Sequence, residues 1–249
     1  MIIDTHCHLD YLDKPWAEVK QQANDLGVTR FMTIAVEEAH WEQLLEFGRD
    51  PDIDVALGIH PCDLSSASEG WQDRLLKTAK DPRVVAIGET GLDNYHRDDQ
   101  KKIQNQGFKD HAEIADMLKK PLVVHMRDAR DEVLRFITHE YQGRGILHCF
   151  SEDYETAKQA IDQGFLISFS GIVTFKNALQ IQDVAKKLPL DTILVETDSP
   201  YLAPMPYRGK KNYPGYTRYV AEKIAELKHI SLEEVAEQTT KNFIQLIQP

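Results

Sequence analysis

The chain has 249 residues, of which 42% are hydrophobic and 28% are charged, and its 29 Lys and Arg against 40 Asp and Glu give a net charge of −11 at pH 7. Apolar runs recur along the whole length, which excludes an intrinsically disordered chain. The longest stretch without a charged residue, 163–175, has 13 residues. A membrane-spanning helix needs roughly 20, so we expect no membrane span.

The first residues and the cysteines indicate the compartment. Asp4 stands near the beginning with no basic and apolar leader before it, so we expect no signal peptide. Three cysteines without a C-x-x-C pair are not a disulfide framework, which favours a reduced, cytoplasmic protein. The acidic net charge disfavours broad binding to polyanions, but a local basic segment with bound divalent cations would still permit a nuclease.

Short runs rich in Val and Ile alternate with longer amphipathic stretches along the chain. The short runs predict strands over residues 2–5, 30–35, 53–58, 84–88, 122–125, 145–148, 166–169 and 192–196. The amphipathic stretches predict helices over residues 15–26, 39–49, 69–80, 98–119, 128–141, 154–163, 177–187, 214–228 and 231–247.

The order and character of these elements predict the fold class. The strands are apolar throughout, which is typical of a parallel sheet buried on both faces. Eight strand–helix units in about 250 residues have the size and order of a (β/α)8, or TIM, barrel. We therefore predict an α/β fold of this type, forming a single domain over residues 1–249. An open doubly wound sheet is the main alternative, since periodicity does not exclude it.

Residue types that bind metals follow many of the predicted strands. The carboxyl ends of parallel barrel strands meet at one rim, where active sites lie. His6 and His8 are two residues apart, so both side chains point to the same side of an extended backbone. The candidate metal ligands at this rim are His6, His8, Glu89, His125, His148 and Asp198.

Four imidazoles and two carboxylates are more ligands than one tetrahedral ion needs, so we infer two divalent metal ions that share a bridging ligand. Glu89 is the natural bridge, because a carboxylate has two oxygens, and Asp198 is the natural terminal ligand that faces the attacking water. Ordinary core positions are a poorer interpretation, since unpaired imidazoles and carboxylates cost several kcal/mol when they are buried.

The other histidines and the cysteines are expected in different surroundings. His60 also follows a predicted strand, and a role at the site is balanced against a structural role. The remaining histidines fall in helical or loop stretches and are expected at the surface; they are His40, His96, His111, His139 and His229. Cys7 and Cys149 are expected to be small buried residues. No Gly-x-Ser-x-Gly motif occurs, which disfavours a serine nucleophile.

Seven short motifs place polar residues directly after apolar runs. They are DTHCHL at 4–9, GIHP at 58–61, GETGLD at 88–93, HMRDA at 125–129, HCFS at 148–151, ISFSG at 167–171 and ETDSPYL at 196–202. In these motifs the chain resembles the TatD family of metal-dependent deoxyribonucleases, among the amidohydrolase-like barrels. The chain differs from the family's usual pattern at Asn94, Met126 and Tyr213, which bears on substrate preference rather than on hydrolysis.

The resemblance implies a division of the ligands between two metals. His6, His8 and Asp198 would hold one ion, His125 and His148 the other, and Glu89 would bridge them. It also implies a (β/α)8 barrel and magnesium-dependent cleavage of DNA phosphodiester bonds, commonly from the 3′ end. Imidazole-rich sites favour Zn, Mn, Fe or Ni over Mg, so the identity of the metal stays open.

We predict DNA as the substrate, either single-stranded or at its 3′ ends, with Asp198 and Glu89 as the catalytic residues. Asp198 is expected to accept the proton of the attacking water. Basic residues on the long loop 199–215, next to Asp198, are expected to neutralise substrate phosphates. The candidate substrate-binding residues are His60, Asp93, Arg127, Lys176, Arg208 and Lys211.

The same residues bear on two other function classes. The same two-metal site would also suit a different ester or amide, for example in the deacylation of mischarged aminoacyl-tRNA. A nucleic-acid-binding protein without activity is disfavoured, because all six predicted ligands are present. We expect neither membrane association nor an obligate protein partner.

Overall fold

The computed structural model describes residues 1–248, and within them eight parallel strands form one sheet in chain order. The strands are β1 (Ile2–Cys7), β2 (Val28–Ile34), β3 (Ile53–Leu57), β4 (Val84–Asp93), β5 (Leu122–Arg127), β6 (Gly145–Leu147), β7 (Phe165–Phe169) and β8 (Ile193–Val195). The sheet closes where β1 meets the segment after β8. Cys7 pairs there with Ser199, and the Asp198 N–H donates a hydrogen bond of 2.9 Å to the His6 carbonyl.

Helices follow every strand of the sheet. Within the described residues the α-helices are α1 (Trp16–Asp25), α2 (Trp41–Phe47), α3 (Trp71–Thr78), α4 (Lys101–Leu118), α5 (Arg130–His139), α6 (Tyr154–Asp162), α7 (Leu179–Lys187), α8 (Thr217–Lys228) and α9 (Leu232–Ile247). This architecture confirms the predicted (β/α)8 barrel, and the open doubly wound alternative is wrong.

The barrel interior is apolar at the amino-terminal end of the strands. Ile3, Ala86 and Val123, near the beginning of their strands, belong to one buried cluster that also includes Phe243 and Leu246 of α9. The Asn242 side chain, also on α9, donates hydrogen bonds to the Leu190 and Ile193 carbonyls where β8 begins. Helix α9 therefore closes this end of the barrel, and the carboxyl-terminal end is left for the polar residues.

Two element boundaries differ from the prediction in ways that affect the rim. Strand β4 extends to Asp93 instead of ending near residue 88, because it pairs with β5 as far as the pair Asp93–Arg127. Glu89 and Asp93 are thus both held by the sheet. Helix α5 begins at Arg130 instead of residue 128, because Asp128 has a left-handed backbone conformation, with φ of 51°.

The expectation that His111 lies at the surface is wrong. This residue is fully buried on α4, on the same helix face as Gln104, Phe108 and Ala115. The His111 Nε2 accepts a hydrogen bond of 3.0 Å from the Ile59 N–H, and Nδ1 donates one of 2.6 Å to the Gly107 carbonyl. The spacing of three and four residues within the apolar face of α4 is the signal that indicated burial. His96, His139 and His229 are exposed, and His40 is half-buried.

Candidate metal centre

The six predicted ligands meet at the carboxyl-terminal end of the strands, around the Glu89 carboxylate. Glu89 Oε1 lies 2.8 Å from His148 Nε2 and 3.1 Å from His125 Nδ1. Glu89 Oε2 faces the other way and lies 3.4 Å from His6 Nε2 and 4.0 Å from His8 Nε2. The two oxygens of this carboxylate therefore face different groups of imidazoles, which is the arrangement expected of a bridging residue.

Asp198 completes one of the two groups. Its Oδ1 lies 3.3 Å from His8 Nε2 and 3.8 Å from His6 Nε2. The ligand atoms of His6, His8 and Asp198 lie within 4.8 Å of one another, as do those of His60, Glu89 and His125. Asp198 has a left-handed backbone, with φ of 58°, and its side chain is 15% exposed, so it stands at the mouth of the centre.

The chemistry of these residues fits metal ions. The His6 side chain is fully buried, and neither of its ring nitrogens has a hydrogen-bond partner, although an unpaired buried polar group is costly. Among the described residues, Glu89 and Asp198 are paired with imidazoles and with no lysine or arginine. Nitrogen and oxygen donors that converge in this way are typical ligands of divalent metals.

The carboxylates are ionised and ready to act as ligands. Burial would raise the pKa of Glu89, but the neighbouring His148, His60 and His125 outweigh it and hold this pKa well below its ordinary value. Burial would likewise raise the pKa of Asp198, but His8 and His6 outweigh it and lower that pKa. Both groups therefore carry negative charge at neutral pH without the help of a metal.

Hydrogen bonds to the far sides of the imidazoles set their orientation. His8 Nδ1 lies 3.0 Å from the Ile34 carbonyl and donates to it, which leaves Nε2 for Asp198. His125 Nε2 lies 3.1 Å from Asp93 Oδ2, which leaves Nδ1 for Glu89. Asp93, predicted to bind substrate, thus contacts a predicted ligand directly, in the manner of carboxylates that orient metal-binding histidines.

Two buried carboxylates that were not predicted also support the centre. Glu196 Oε1 accepts a hydrogen bond of 2.7 Å from the Cys149 N–H and lies 3.4 Å from His148 Nδ1. Asp4 accepts hydrogen bonds from the Thr197 N–H and the Thr197 hydroxyl, at 2.8 and 2.6 Å, and fixes the segment before Asp198. Asp4 and Glu196 each lie within a predicted apolar strand, at 2–5 and 192–196. An acidic residue inside such a strand was the sequence signal that could have indicated their role.

The remaining predicted substrate-binding residues lie in different surroundings. His60 belongs to the centre, with its Nε2 3.7 Å from Glu89 Oε1. The Arg127 guanidinium lies 4.4 Å from the Tyr95 ring and that of Arg208 lies 4.2 Å from the Phe175 ring. Lys176 is exposed, and Lys211 Nζ forms an ion pair of 2.9 Å with Asp13.

Two glycines allow the backbone to pack closely beneath Glu89. A Cβ atom on Gly58 would lie 2.6 Å from the Gly88 carbonyl carbon, and one on Gly88 would lie 2.6 Å from the Val123 carbonyl oxygen. Real Cβ contacts are essentially never that short, so a larger residue at either position would force the strands apart. The GIHP and GETGLD motifs therefore need glycine for close packing of the backbone.

A parallel (β/α)8 barrel with histidines and carboxylates gathered at its carboxyl-terminal rim defines a class, the metal-dependent hydrolases of this fold. The family model described as TatD related DNase matches residues 3–248, and the chain belongs to this family. The resemblance found in the sequence motifs is thereby confirmed. Within the described residues, no helix is both long and apolar enough to cross a membrane.

Individual relatives agree with this assignment. The metal-dependent hydrolase YcfH of Escherichia coli K12 is 42% identical to the chain, over 98% of this chain and 95% of that protein. YabD of Bacillus subtilis, also named a metal-dependent hydrolase, is 37% identical over 97% of both chains. The crystal structure of YjjV, a TatD homologue from Escherichia coli, superimposes with a TM-score of 0.92 at 28% identity, covering 98% of this chain and 97% of that chain. The protein is a metal-dependent hydrolase.

Proposed function

We propose that this hydrolase cleaves phosphodiester bonds of DNA, at a centre that holds two divalent metal ions. The observation that carries the proposal is the position of Glu89, whose two carboxylate oxygens face separate groups of imidazoles: Oε1 faces His125, His148 and His60, and Oε2 faces His6 and His8. His6, His8 and Asp198 would hold one ion, and His125 and His148 the other. The name of the matching family model, TatD related DNase, supports DNA as the substrate.

Bound divalent ions would supply positive charge that polarises the phosphoryl group and assists ionisation of water. The remaining roles belong to the protein. Asp198 is ionised and partly open to solvent at the mouth of the centre, so its carboxylate is placed to accept a proton from the attacking water. Glu89 is almost completely buried and holds the two groups of ligands at a fixed distance from each other.

His60 is proposed to bind the substrate phosphate. Burial lowers the pKa of His60 to about 3, so this imidazole is neutral at pH 7. Its Nδ1 accepts a hydrogen bond of 3.2 Å from the Cys62 N–H, which places the single ring proton on Nε2. That Nε2–H points toward the Glu89 side of the centre, where it can donate a hydrogen bond to a phosphoryl oxygen.

Cleavage of a 5′-labelled single strand of DNA tests the function. Metal-free protein is supplied with Mg, Mn or Zn in turn, and the wild type is compared with Asp198→Asn. We expect metal-dependent shortening from the 3′ end by the wild type and a loss of roughly 10²-fold or more in the variant, because the proton acceptor is removed. Asp191→Asn, an exposed carboxylate just before β8, is the matched control and keeps full activity.

Two outcomes would contradict the proposal. Equal cleavage by the wild type and Asp198→Asn would point to a contaminating nuclease. Metal-dependent hydrolysis of an aminoacyl ester with no cleavage of DNA would retain the metal centre and assign the protein to the alternative substrate class.

A further inference from the structure

A groove of about 490 Å³ lies between α4 and α5, outside the metal centre. Lys101, Lys102 and Lys109 line it from α4, and Arg135 lines it from α5. Glu132 is the single acidic side chain among the described residues that line it. An excess of cations in one groove contrasts with the net charge of −11 of the whole chain. We refer to this feature as the α4–α5 groove.

Much of the positive charge in the groove is not neutralised by the protein. Lys102 and Arg135 are exposed, and neither forms an ion pair with a described side chain. Lys109 Nζ is paired with Glu140 Oε2 at 2.8 Å. The Glu132 carboxylate accepts a hydrogen bond of 2.6 Å from the Asn94 side chain, which ties it to the loop after β4. The groove is therefore suited to an anionic ligand.

The α4–α5 groove begins at the same rim as the metal centre. In this fold the helices start at the carboxyl-terminal end of the strands, so Lys101 and Lys102 lie at the rim and Lys109 lies about 12 Å further down the helix, at ~1.5 Å per residue. Tyr95 and Arg127 each lie two residues after a residue of the centre, Asp93 or His125. Asn94, which precedes Tyr95, donates a hydrogen bond to Glu132 of the groove and so connects this segment to it.

Tyr95 provides an apolar surface along this path. Tyr95 is 62% exposed, and the Arg127 guanidinium lies 4.4 Å from the centre of the Tyr95 ring. Exposed aromatic rings next to basic grooves are the combination with which proteins bind single-stranded nucleic acids, because every base can stack and every linkage carries a charge. An acidic peptide would satisfy the lysines but would have no base to place on Tyr95.

Resting on the proposed function, we propose that the α4–α5 groove binds the phosphate backbone of a single-stranded nucleic acid whose end occupies the metal centre. Tyr95 stacks on a base as the strand leaves the centre, and Lys102 and Arg135 neutralise phosphates further along. The protein is thereby specific for a strand of several nucleotides, since a dinucleotide reaches only the centre.

Binding of a labelled thymidine dodecamer, measured by fluorescence anisotropy, tests the groove. Phosphorothioate linkages make the probe resistant to cleavage. We expect the variant carrying Lys102→Glu and Arg135→Glu to bind at least about tenfold more weakly, with a slope of log affinity against log salt reduced by about 1.4, since each single-strand phosphate contact contributes roughly 0.7. Tyr95→Ala is expected to weaken binding at least fivefold, at ~1 kcal/mol or more per stacked base.

The control variant carries Lys77→Glu and Lys80→Glu, which reverse the charge of two exposed lysines at the opposite end of the barrel. The net charge changes by the same amount as in the groove variant. This control variant is expected to bind within about twofold of the wild type, which would show a local contact rather than a general field effect. Equal loss in both double variants would overturn the proposal. Binding of an oligoglutamate peptide as tight as that of the dodecamer would also overturn it.

Hydrolysis of a thymidine dinucleotide separates this inference from the proposed function. If the groove acts as inferred, the Lys102→Glu and Arg135→Glu variant cleaves the dinucleotide at the wild-type rate but loses its preference for the dodecamer. An unchanged preference for the dodecamer in this variant would refute strand binding in the α4–α5 groove and leave the proposed hydrolase function intact. Dodecamer binding that depends on the groove, without cleavage of either substrate, would refute the proposed function alone.

Discussion

At the scale of single residues, Glu196 is a buried carboxylate placed to orient a predicted metal ligand, His148. Its carboxylate is completely buried, with Oε1 held by the Cys149 N–H and 3.4 Å from His148 Nδ1. Negative charge at this position favours a proton on Nδ1 and leaves the lone pair on Nε2, the atom that faces Glu89. Glu196 is therefore a positioning residue for His148.

We predict that Glu196→Gln lowers the affinity for a divalent metal by about 10- to 100-fold. The amide keeps an acceptor for the Cys149 N–H but removes the charge that orients His148. Titration calorimetry with Mn measures the affinity. Glu155→Gln, on the exposed face of α6, is the control and is expected to bind Mn as the wild type does. Unchanged affinity in Glu196→Gln would show that His148 needs no charged partner.

At the scale of elements, His111 joins α4 to the segment that follows β3. Its Nε2 accepts the Ile59 N–H, so protonation would set two N–H groups against each other as well as burying a charge. Burial lowers the pKa of His111 to about 4. Because Ile59 immediately precedes His60, this contact helps to place one side chain of the metal centre.

The stability of the protein is predicted to fall as the pH decreases from 6.5 to 4. In the unfolded chain His111 takes up a proton below about 6.5, whereas in the folded chain it stays neutral down to a pH of about 4. The contribution of neutral His111 to the free energy of unfolding is fully present above pH 6.5, is lost toward pH 4, and amounts to about 3 kcal/mol. Urea unfolding of the wild type and of His111→Gln at several pH values measures it.

The difference in unfolding free energy between these two proteins is expected to shrink toward pH 4, since glutamine does not titrate. The exposed His139→Gln is the control and is expected to follow the wild type. A constant difference across this pH range would mean that folding does not lower the pKa of His111.

At the scale of the whole molecule, the two ends of the barrel have separate roles, apolar packing at one end and the polar site at the other. Helix α9 seals the amino-terminal end with Phe243 and Leu246, in the same cluster as Ile3 and Val123. The metal centre occupies the other end, where Asp4 and Thr197 join the first strand to the last. A defect in the apolar seal is therefore expected to change stability without changing the chemistry.

We predict that Phe243→Ala lowers the free energy of unfolding by about 3–5 kcal/mol, because it leaves a cavity at a fully buried position. Metal affinity per folded molecule should remain that of the wild type. Urea unfolding and titration calorimetry measure the two quantities, with the exposed Gln245→Ala as the control. Lost metal affinity in folded Phe243→Ala would show that the two ends of the barrel are coupled.

The alternation of strands and helices, and the position of the polar residues at strand ends, could be predicted from the sequence because both are local patterns. An apolar run of four to seven residues predicts a buried strand wherever it occurs, and the parallel order of a barrel brings strand ends together. The six predicted ligands follow from that rule alone, and the structure brings them together around Glu89.

Only the tertiary structure decided which groups support the ligands. Asp4 holds Thr197 across 193 positions of sequence, and Glu196 reaches Cys149 across 47. Likewise, only the tertiary structure shows that Lys211 pairs with Asp13 and that α4 and α5 form a groove. A hydrogen bond or ion pair depends on the separation of two atoms in space, and a periodic pattern within one segment carries no information about a partner in another.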